Sequence, residues 1–281
     1  MIRAQDLLAE GRACLRDAGV QDPAQDARWL LAYALDIGSE RLVTILPDPV
    51  PPSAAERFRA AIAARAQFQP VSQILGHRLF WGRRFFVTPD VLDPRPETET
   101  LVAAALETDF DRVLDLGTGS GAILLSLLAE RPGAKGLGVD LSPEALEVAR
   151  RNARALELDT RAEFLHSDWC SRVRGCFDLV VSNPPYIAAP EYGALAPELR
   201  LWEPSMALVP QGCDGTGLVV YRIIATQSQK VLRPGGWLMV EFGLGQGAGV
   251  QDIFSAAGLE NIALVPDMTG RARVCLGQVH E

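Results

Sequence analysis

An apolar run, Phe177-Asp178-Leu179-Val180-Val181, ends in Ser182-Asn183-Pro184-Pro185-Tyr186. Those residue types suit the gripping of a planar amino group. An amide or aromatic NH2 is a poor nucleophile, because its lone pair is delocalised into the neighbouring π system. Asn183 can offer its side-chain carbonyl to one N–H, and Pro184 its main-chain carbonyl to the other. Pro185 fixes its own φ and restricts the residue before it, so the Pro184 carbonyl is held in one direction. Tyr186 supplies an aromatic face for stacking. On this reading Asn183, Pro184 and Tyr186 are the catalytic candidates, and residues 183–186, with Pro185, hold the substrate. Rate would come from positioning and aimed dipoles rather than from a strong base.

A second constellation, Leu114-Asp115-Leu116-Gly117-Thr118-Gly119-Ser120-Gly121, stands where a buried strand gives way to an apolar helix. Glycines there let a ligand approach the backbone, and the helix aims free N–H groups and its positive end at it. Gly117-x-Gly119-x-x-Ala122 also meets the dinucleotide fingerprint, with Asp140 at the end of the next strand, where an acid grips ribose hydroxyls. Two features favour S-adenosylmethionine over NAD. Asp115 puts a carboxylate where a methionine ammonium can face it and a pyrophosphate would be repelled. Asp168-Trp169 closes the third strand with an acceptor for an adenine amino group and an indole to flank the ring. His77, His166 and His280 are the only histidines, and each reads as structural or surface, so no hydride-transfer acid is evident.

The elements that must position these residues can be read from periodicity. Residues 1–70 form a run of helices: Leu7, Leu8, Gly11, Cys14 and Leu15 recur at helical spacing, as do Trp29, Leu30, Leu31 and Leu35. Ser53-x-x-Glu56 after Pro51-Pro52 has the form of a capping box for a further helix. Residues 71–93 contain an aromatic hairpin with a central Gly82 and link the helices to the rest. From residue 94 to 281, seven strands alternate with helices, among them a long one in the 215–232 region, which implies βαβ units. The fold class is therefore α/β, a Rossmann-like and mostly parallel sheet preceded by a small helical domain and a β-hairpin linker. In such a sheet the tips of the first and fourth strands meet at the switch point, where ligands bind.

Composition narrows the partners. Of 281 residues, 48% are apolar and 22% charged, which supports a buried core and excludes disordered and disulfide-scaffold classes. Residues 1–90 carry 11 Arg against 10 acids, whereas residues 91–281 carry 16 Lys and Arg against 25 acids. The acidic surplus behind the net charge of −8 thus lies with the sheet, which favours a cationic cofactor and a protein substrate over nucleic acid. Cys14, Cys170, Cys176, Cys213 and Cys275 are scattered, without a C-x-x-C pair, so free thiols and no metal site are expected. No signal peptide and no run of about 18 apolar residues occurs, so a cytoplasmic protein without membrane contact is expected.

Taken together, these motifs resemble the bacterial release-factor glutamine methyltransferases of the PrmC/HemK type, over nearly the whole chain. The resemblance is carried by Gln73-Ile74-Leu75-Gly76, Phe80-Trp81-Gly82, Pro94-Arg95-Pro96-Glu97-Thr98-Glu99, the glycine loop, Asn183-Pro184-Pro185-Tyr186, Glu203-Pro204, Asp214-Gly215, residues 232–238 with Glu241, and Gly270-Arg271. It implies a class I methyltransferase fold and S-adenosylmethionine as methyl donor, leaving S-adenosylhomocysteine. The implied substrate is the glutamine of the Gly-Gly-Gln loop of class-1 peptide chain release factors, methylated on its side-chain nitrogen. Carried over by position, Gly117, Thr118, Gly119, Ser120, Gly121, Asp140, Asp168, Trp169 and Asn183 would contact the cofactor, and residues 94–99 would wall the site. A monomer with no direct nucleic-acid contact is expected. The alternatives are a ribosomal-protein glutamine methyltransferase and a nucleic-acid exocyclic-amine methyltransferase. The latter calls for a basic tract, and the sequence offers only Arg83-Arg84 and Arg150-Arg151.

Overall fold

The computed structural model describes residues 2–212 and 215–280, so Cys213 and Asp214, both singled out above, lie outside the described residues. Contacts divide the chain into two units. One comprises the chain up to His77 together with Ala196–Trp202; the other comprises Arg78–Leu195 and the chain from Glu203 onward.

The first unit is helical: α1 (Ala4–Asp17), α2 (Pro23–Ala34), α3 (Leu42–Ile45), α4 (Pro52–Arg65) and α5 (Val71–Leu75), with α9 (Pro197–Trp202) contributed from far along the chain. Leu7, Leu15, Leu30, Leu31, Leu42 and Phe58 are fully buried in its core. Gly11 is required by packing: a Cβ there would stand 2.5 Å from the Phe58 ring. Cys14 on α1 and Trp29 on α2 stand at exposed positions of their helices, Trp29 keeping 39% of its surface. Ser53 does not cap α4, because the helix already starts at Pro52, whose fixed φ suits the first helical position, and Pro51 is the cap residue. Inside this unit Arg65, almost wholly buried, bonds Asp26 at 2.6 Å and also Glu198 of α9.

The second unit opens with a hairpin of β1 (His77–Phe80), whose last three residues belong here, and β2 (Arg83–Phe86). Trp81 and Gly82 both have positive φ, +48° and +69°, the signature of the tight hairpin turn that matches strand twist. The hairpin is tied to the sheet domain at several points. Glu99 accepts from the Trp81 amide at 2.7 Å, and Glu130 accepts from its indole N–H at 3.1 Å. Asn152, fully buried, exchanges bonds with the Phe86 backbone and donates to the Ser120 carbonyl at 2.8 Å.

Seven strands follow: β3 (Arg112–Leu116), β4 (Lys135–Asp140), β5 (Ala162–His166), β6 (Phe177–Ser182), β7 (Leu232–Glu241), β8 (Glu260–Pro266) and β9 (Ala272–Gln278). Their order is β5-β4-β3-β6-β7-β9-β8; β9 pairs antiparallel with β7 and β8, and the other pairs are parallel. Side chains alternate faces along each strand. Val113, Leu179, Val181 and Met239 join one buried cluster with α6 (Glu99–Leu106) and α7 (Ala122–Glu130). Leu114, Val180, Leu238 and Val240 join the other with α10 (Val219–Ser228) and α11 (Gly247–Ala256). Helix α8 (Pro143–Ala155) packs on β4 and β5. The helix expected across residues 215–232 is the ten-residue α10, with Gly215 and Gly217 held at positive φ ahead of it.

Candidate active site

The strand order reverses between β3 and β6, and there the two constellations meet. Leu116 and Ser182 are register partners, so the glycine loop and Asn183 leave the sheet side by side. Ser182 Oγ donates to the Leu116 carbonyl at 2.7 Å and ties the two exits together. On the other side of β3, the Gly117 and Thr118 amides both donate to the Val139 carbonyl at 2.9 Å. Asp140 then reaches across, accepting from the Gly119 amide at 2.9 Å and from the Ser142 amide at 2.9 Å. The loop thus rests on three adjacent strands.

A cavity of about 520 Å³ opens above these strand tips, within the second unit. Gly117, Thr118, Gly119, Ser120, Asp140, Asp168, Trp169, Asn183 and Pro185 all line it. Gly117 and Gly119 have φ of +70° and +55°, where a side chain is strained, and no atom lies within 4 Å of where a Gly119 Cβ would stand. Trp169 itself sits at a φ of +46°, its carbonyl taken by the Ser167 hydroxyl at 2.7 Å. Burial pushes the Asp140 carboxyl upward, against the Ser142 and Gly119 amides that favour its charge.

Three candidates stand outside the lining. Gly121, at φ +79°, serves packing: a Cβ would meet Leu125 at 3.1 Å and Ala149 of α8 at 3.3 Å. Pro184 is buried. Tyr186 packs beside Gly243, and its backbone carbonyl accepts from Gln246 at 2.9 Å. Burial, and then the charge of Glu241, push its phenol up to about 12, so it stays protonated. Asp115, expected to face an ammonium group, is fully buried and absent from the lining. Its Oδ2 accepts from the Thr118 hydroxyl at 2.7 Å, which makes it a brace for the glycine turn. Burial raises its carboxyl to about 7, against the Thr118 hydroxyl and the Leu124 amide.

Of the segment expected to wall the site, Pro94, Arg95 and Thr98 line the cavity, while Glu203 and Glu241 were given no individual role from sequence. Glu203, buried, accepts from Arg95 at 2.9 Å and from the Asp93 amide at 3.1 Å, which pins that wall. Asn183 Nδ2 donates to Thr98 Oγ1 at 3.0 Å, and the buried Glu241 ends the neighbouring strand β7. Their signal was present in the Pro94–Glu99 motif and in Glu203 and Glu241, but only the fold brings them together. Among the described residues no cluster of three or more metal-ligating side chains exists, and no helix is long and apolar enough to cross a membrane.

Residues 6–76 match the model of the PrmC N-terminal domain, and residues 92–199 that of the methyltransferase small domain. A protein of Cereibacter sphaeroides named release factor glutamine methyltransferase is 55% identical over 273 residues, 97% of each chain. Proteins of the same name from Rhodospirillum rubrum and Caulobacter vibrioides are 47% and 44% identical, covering 97% and 94% of this chain and 84% and 92% of their own. Among solved structures, the hMettl16 catalytic domain has a TM-score of 0.60 at 18% identity, covering 78% of this chain and 82% of its own. A methyltransferase from Pyrococcus furiosus has a TM-score of 0.54 at 17% identity, covering 70% and 89%. Both of these show the class I methyltransferase fold.

Proposed function

Since the chain belongs to the release factor glutamine methyltransferases, and is thus an S-adenosylmethionine-dependent methyltransferase, we propose that it methylates the side-chain amide nitrogen of the glutamine in the Gly-Gly-Gln loop of class-1 release factors. The observation that carries this reading is the pairing of Leu116 with Ser182, which sets the glycine loop and Asn183 on one cavity.

The residues present fit the methyl donor. The cavity is within the usual range for a ligand of nucleoside-plus-amino-acid size. It has a carboxylate at the last residue of β4, Asp140, another just past β5, Asp168, an indole beside Asp168, and open space over Gly119. Gly117, Thr118, Gly119 and Ser120 with Asp140, Asp168 and Trp169 would hold S-adenosylmethionine. When bound, it supplies an electrophilic methyl group on a sulfonium, and S-adenosylhomocysteine is what remains.

This chain's part is to aim the amide nitrogen. Asn183 accepts one substrate N–H through Oδ1, and the Pro184 carbonyl accepts the other. Both acceptors draw electron density toward the nitrogen and fix the direction from which it approaches. The neutral phenol of Tyr186 is too weak a base to compete for the proton, so rate rests on orientation and preorganised dipoles. Once the C–N bond has formed, the nitrogen's acidity has risen and its proton passes to solvent.

The experiment is transfer of a labelled methyl group to a purified release factor. Labelling is expected, and a Gln-to-Ala change in the Gly-Gly-Gln loop abolishes it. Equal labelling of that variant, or labelling of a ribosomal protein, DNA or RNA in its place, would overturn the substrate assignment.

A further inference from the structure

We propose that Gln246 is a positioning residue for methyl transfer: its side-chain amide clamps the Tyr186 carbonyl and so holds the loop of residues 183–186 at its far end. This deepens the functional reading above and rests on it for its catalytic consequence. The clamp is built on a turn. Strand β7 ends at Glu241, and α11 starts at Gly247. Between them the Gln246 amide donates to the Gly243 carbonyl at 3.1 Å, with Gly245 at a φ of +84°. The Gln246 side chain folds back over this turn, and its Oε1 accepts from the Gly243 amide at 3.0 Å. Its Nε2 donates to the Tyr186 carbonyl at 2.9 Å and to that of Thr216 at 3.3 Å.

Backbone partners leave this amide one orientation. A peptide N–H only donates and a peptide carbonyl only accepts, so Oε1 must face Gly243 and Nε2 must face Tyr186. Half a turn would set two donors against each other at Gly243 and two oxygens at Tyr186. The space around Tyr186 is closed as well. A Cβ on Gly243 would stand 2.9 Å from the Tyr186 ring, and one on Gly217 would overlap the Tyr186 carbonyl and reach 2.8 Å from Nε2. At the near end of the loop, Ser182 is tied to the Leu116 carbonyl. Between the two ties stand Pro184 and Pro185, whose rings fix φ. A segment this short, held at both ends with two torsions already set, has little freedom left. The Pro184 carbonyl therefore keeps one direction before any substrate arrives, and an acceptor aimed in advance needs no reorganisation at the moment of reaction.

Methyl transfer to a release factor and one carbonyl resonance test this. Gln246→Met keeps the length without donor or acceptor. Gln246→Glu, ionised at alkaline pH, keeps an acceptor for Gly243 but sets an oxygen against the Tyr186 carbonyl. Both variants are expected to lower kcat about 10-fold or more, with KM for the methyl donor changed less than about threefold, as for an orienting group. Tyr186-Ile187 is the only Tyr-Ile pair in the sequence, so 13C at tyrosine carbonyls with 15N at isoleucines isolates the Tyr186 carbonyl in NMR of the free enzyme. Its resonance is expected to move upfield in both variants, because accepting a hydrogen bond deshields a carbonyl carbon. Wild-type kcat in either variant would overturn the clamp. So would a Tyr186 resonance that stays in place, or a raised KM for the methyl donor with kcat unchanged. A wild-type enzyme that labels no release factor, but whose Tyr186 resonance moves on substitution of Gln246, would overturn the substrate reading and leave the clamp standing.

Discussion

Ser182 Oγ donates to the Leu116 carbonyl at 2.7 Å, both residues being fully buried at the tips of β6 and β3. This single bond joins the strand that ends in the glycine loop to the strand that ends in Asn183. Replacing Ser182 by Ala leaves a buried carbonyl short of one partner and costs about 1–2 kcal/mol. The expected outcome is a lower urea midpoint with an unchanged m-value. Methyl transfer is expected to fall by more than cofactor affinity, because the reacting loop loses its tie. A variant as stable and active as wild type would show the bond to be redundant.

Asn183→Ala separates binding from chemistry. The glycine loop, Asp140, Asp168 and Trp169 remain, so cofactor affinity measured by calorimetry is expected to change by no more than a few-fold. Transfer is expected to fall by about 100-fold or more, since the aimed acceptor is gone. Equal losses in both would place Asn183 among the cofactor contacts alone.

Two glycines of one turn have separable duties. Gly119 and Gly121 both adopt positive φ, so alanine at either costs about 1–2 kcal/mol in backbone strain. At Gly121 the added methyl presses on Leu125 and Ala149, and only stability is expected to suffer. At Gly119 no protein atom waits within 4 Å, and the methyl enters the space assigned to the cofactor. Thermal melts with and without S-adenosylmethionine distinguish the two: the ligand-induced rise in Tm persists in Gly121→Ala and shrinks in Gly119→Ala.

Much of the site was legible because it is written locally. Positive φ demands glycine, and Gly117, Gly119 and Gly121 announce the turn wherever the rest of the chain goes. Asn183-Pro184-Pro185-Tyr186 is likewise a short string whose chemistry resides in its own groups. What was not legible depends on depth and on distant neighbours. Asp115 is adjacent to the glycines, but strand alternation alone does not reveal that Thr118 and α7 enclose it. Thr98 meets Asn183 only because the fold brings residues 94–99 to the tip of β6. Ser53 and Glu56 have the spacing of a capping box, yet the helix already starts at Pro52, so Ser53 lies within its first turn and the box does not form.

Stability should depend on pH in a direction set by two buried acids. Burial pushes Asp115 from 3.8 and Glu241 from 4.5 up to about 7. Between about pH 4 and 7 the folded chain therefore holds protons that the unfolded chain releases, and stability falls as pH rises through that window. Asp267 acts oppositely at the acid end. Held down to about 2, first by the Thr269 hydroxyl, it loses its contribution as pH falls from about 4 toward 2. Urea midpoints are expected to be higher at pH 5 than at pH 8, by an amount on the order of a few kcal/mol in unfolding free energy. Asp115→Asn should remove a substantial part of that difference; an unchanged difference would assign it to other groups.

The chain segment Ala196–Trp202 bears on how this protein is made. It belongs with the helices of the first 77 residues, where Glu198 meets the buried Arg65, yet it is encoded more than a hundred residues later. During translation the N-terminal helices leave the ribosome without that partner, and at about 5–20 residues per second they wait several seconds or more for it. Over that interval Arg65 has Asp26 and the Gln69 carbonyl but not Glu198, and the helical unit is an incomplete body. Its final consolidation is therefore coupled to synthesis of the catalytic sheet, so a nascent chain truncated before residue 196 lacks the piece that finishes its own first domain.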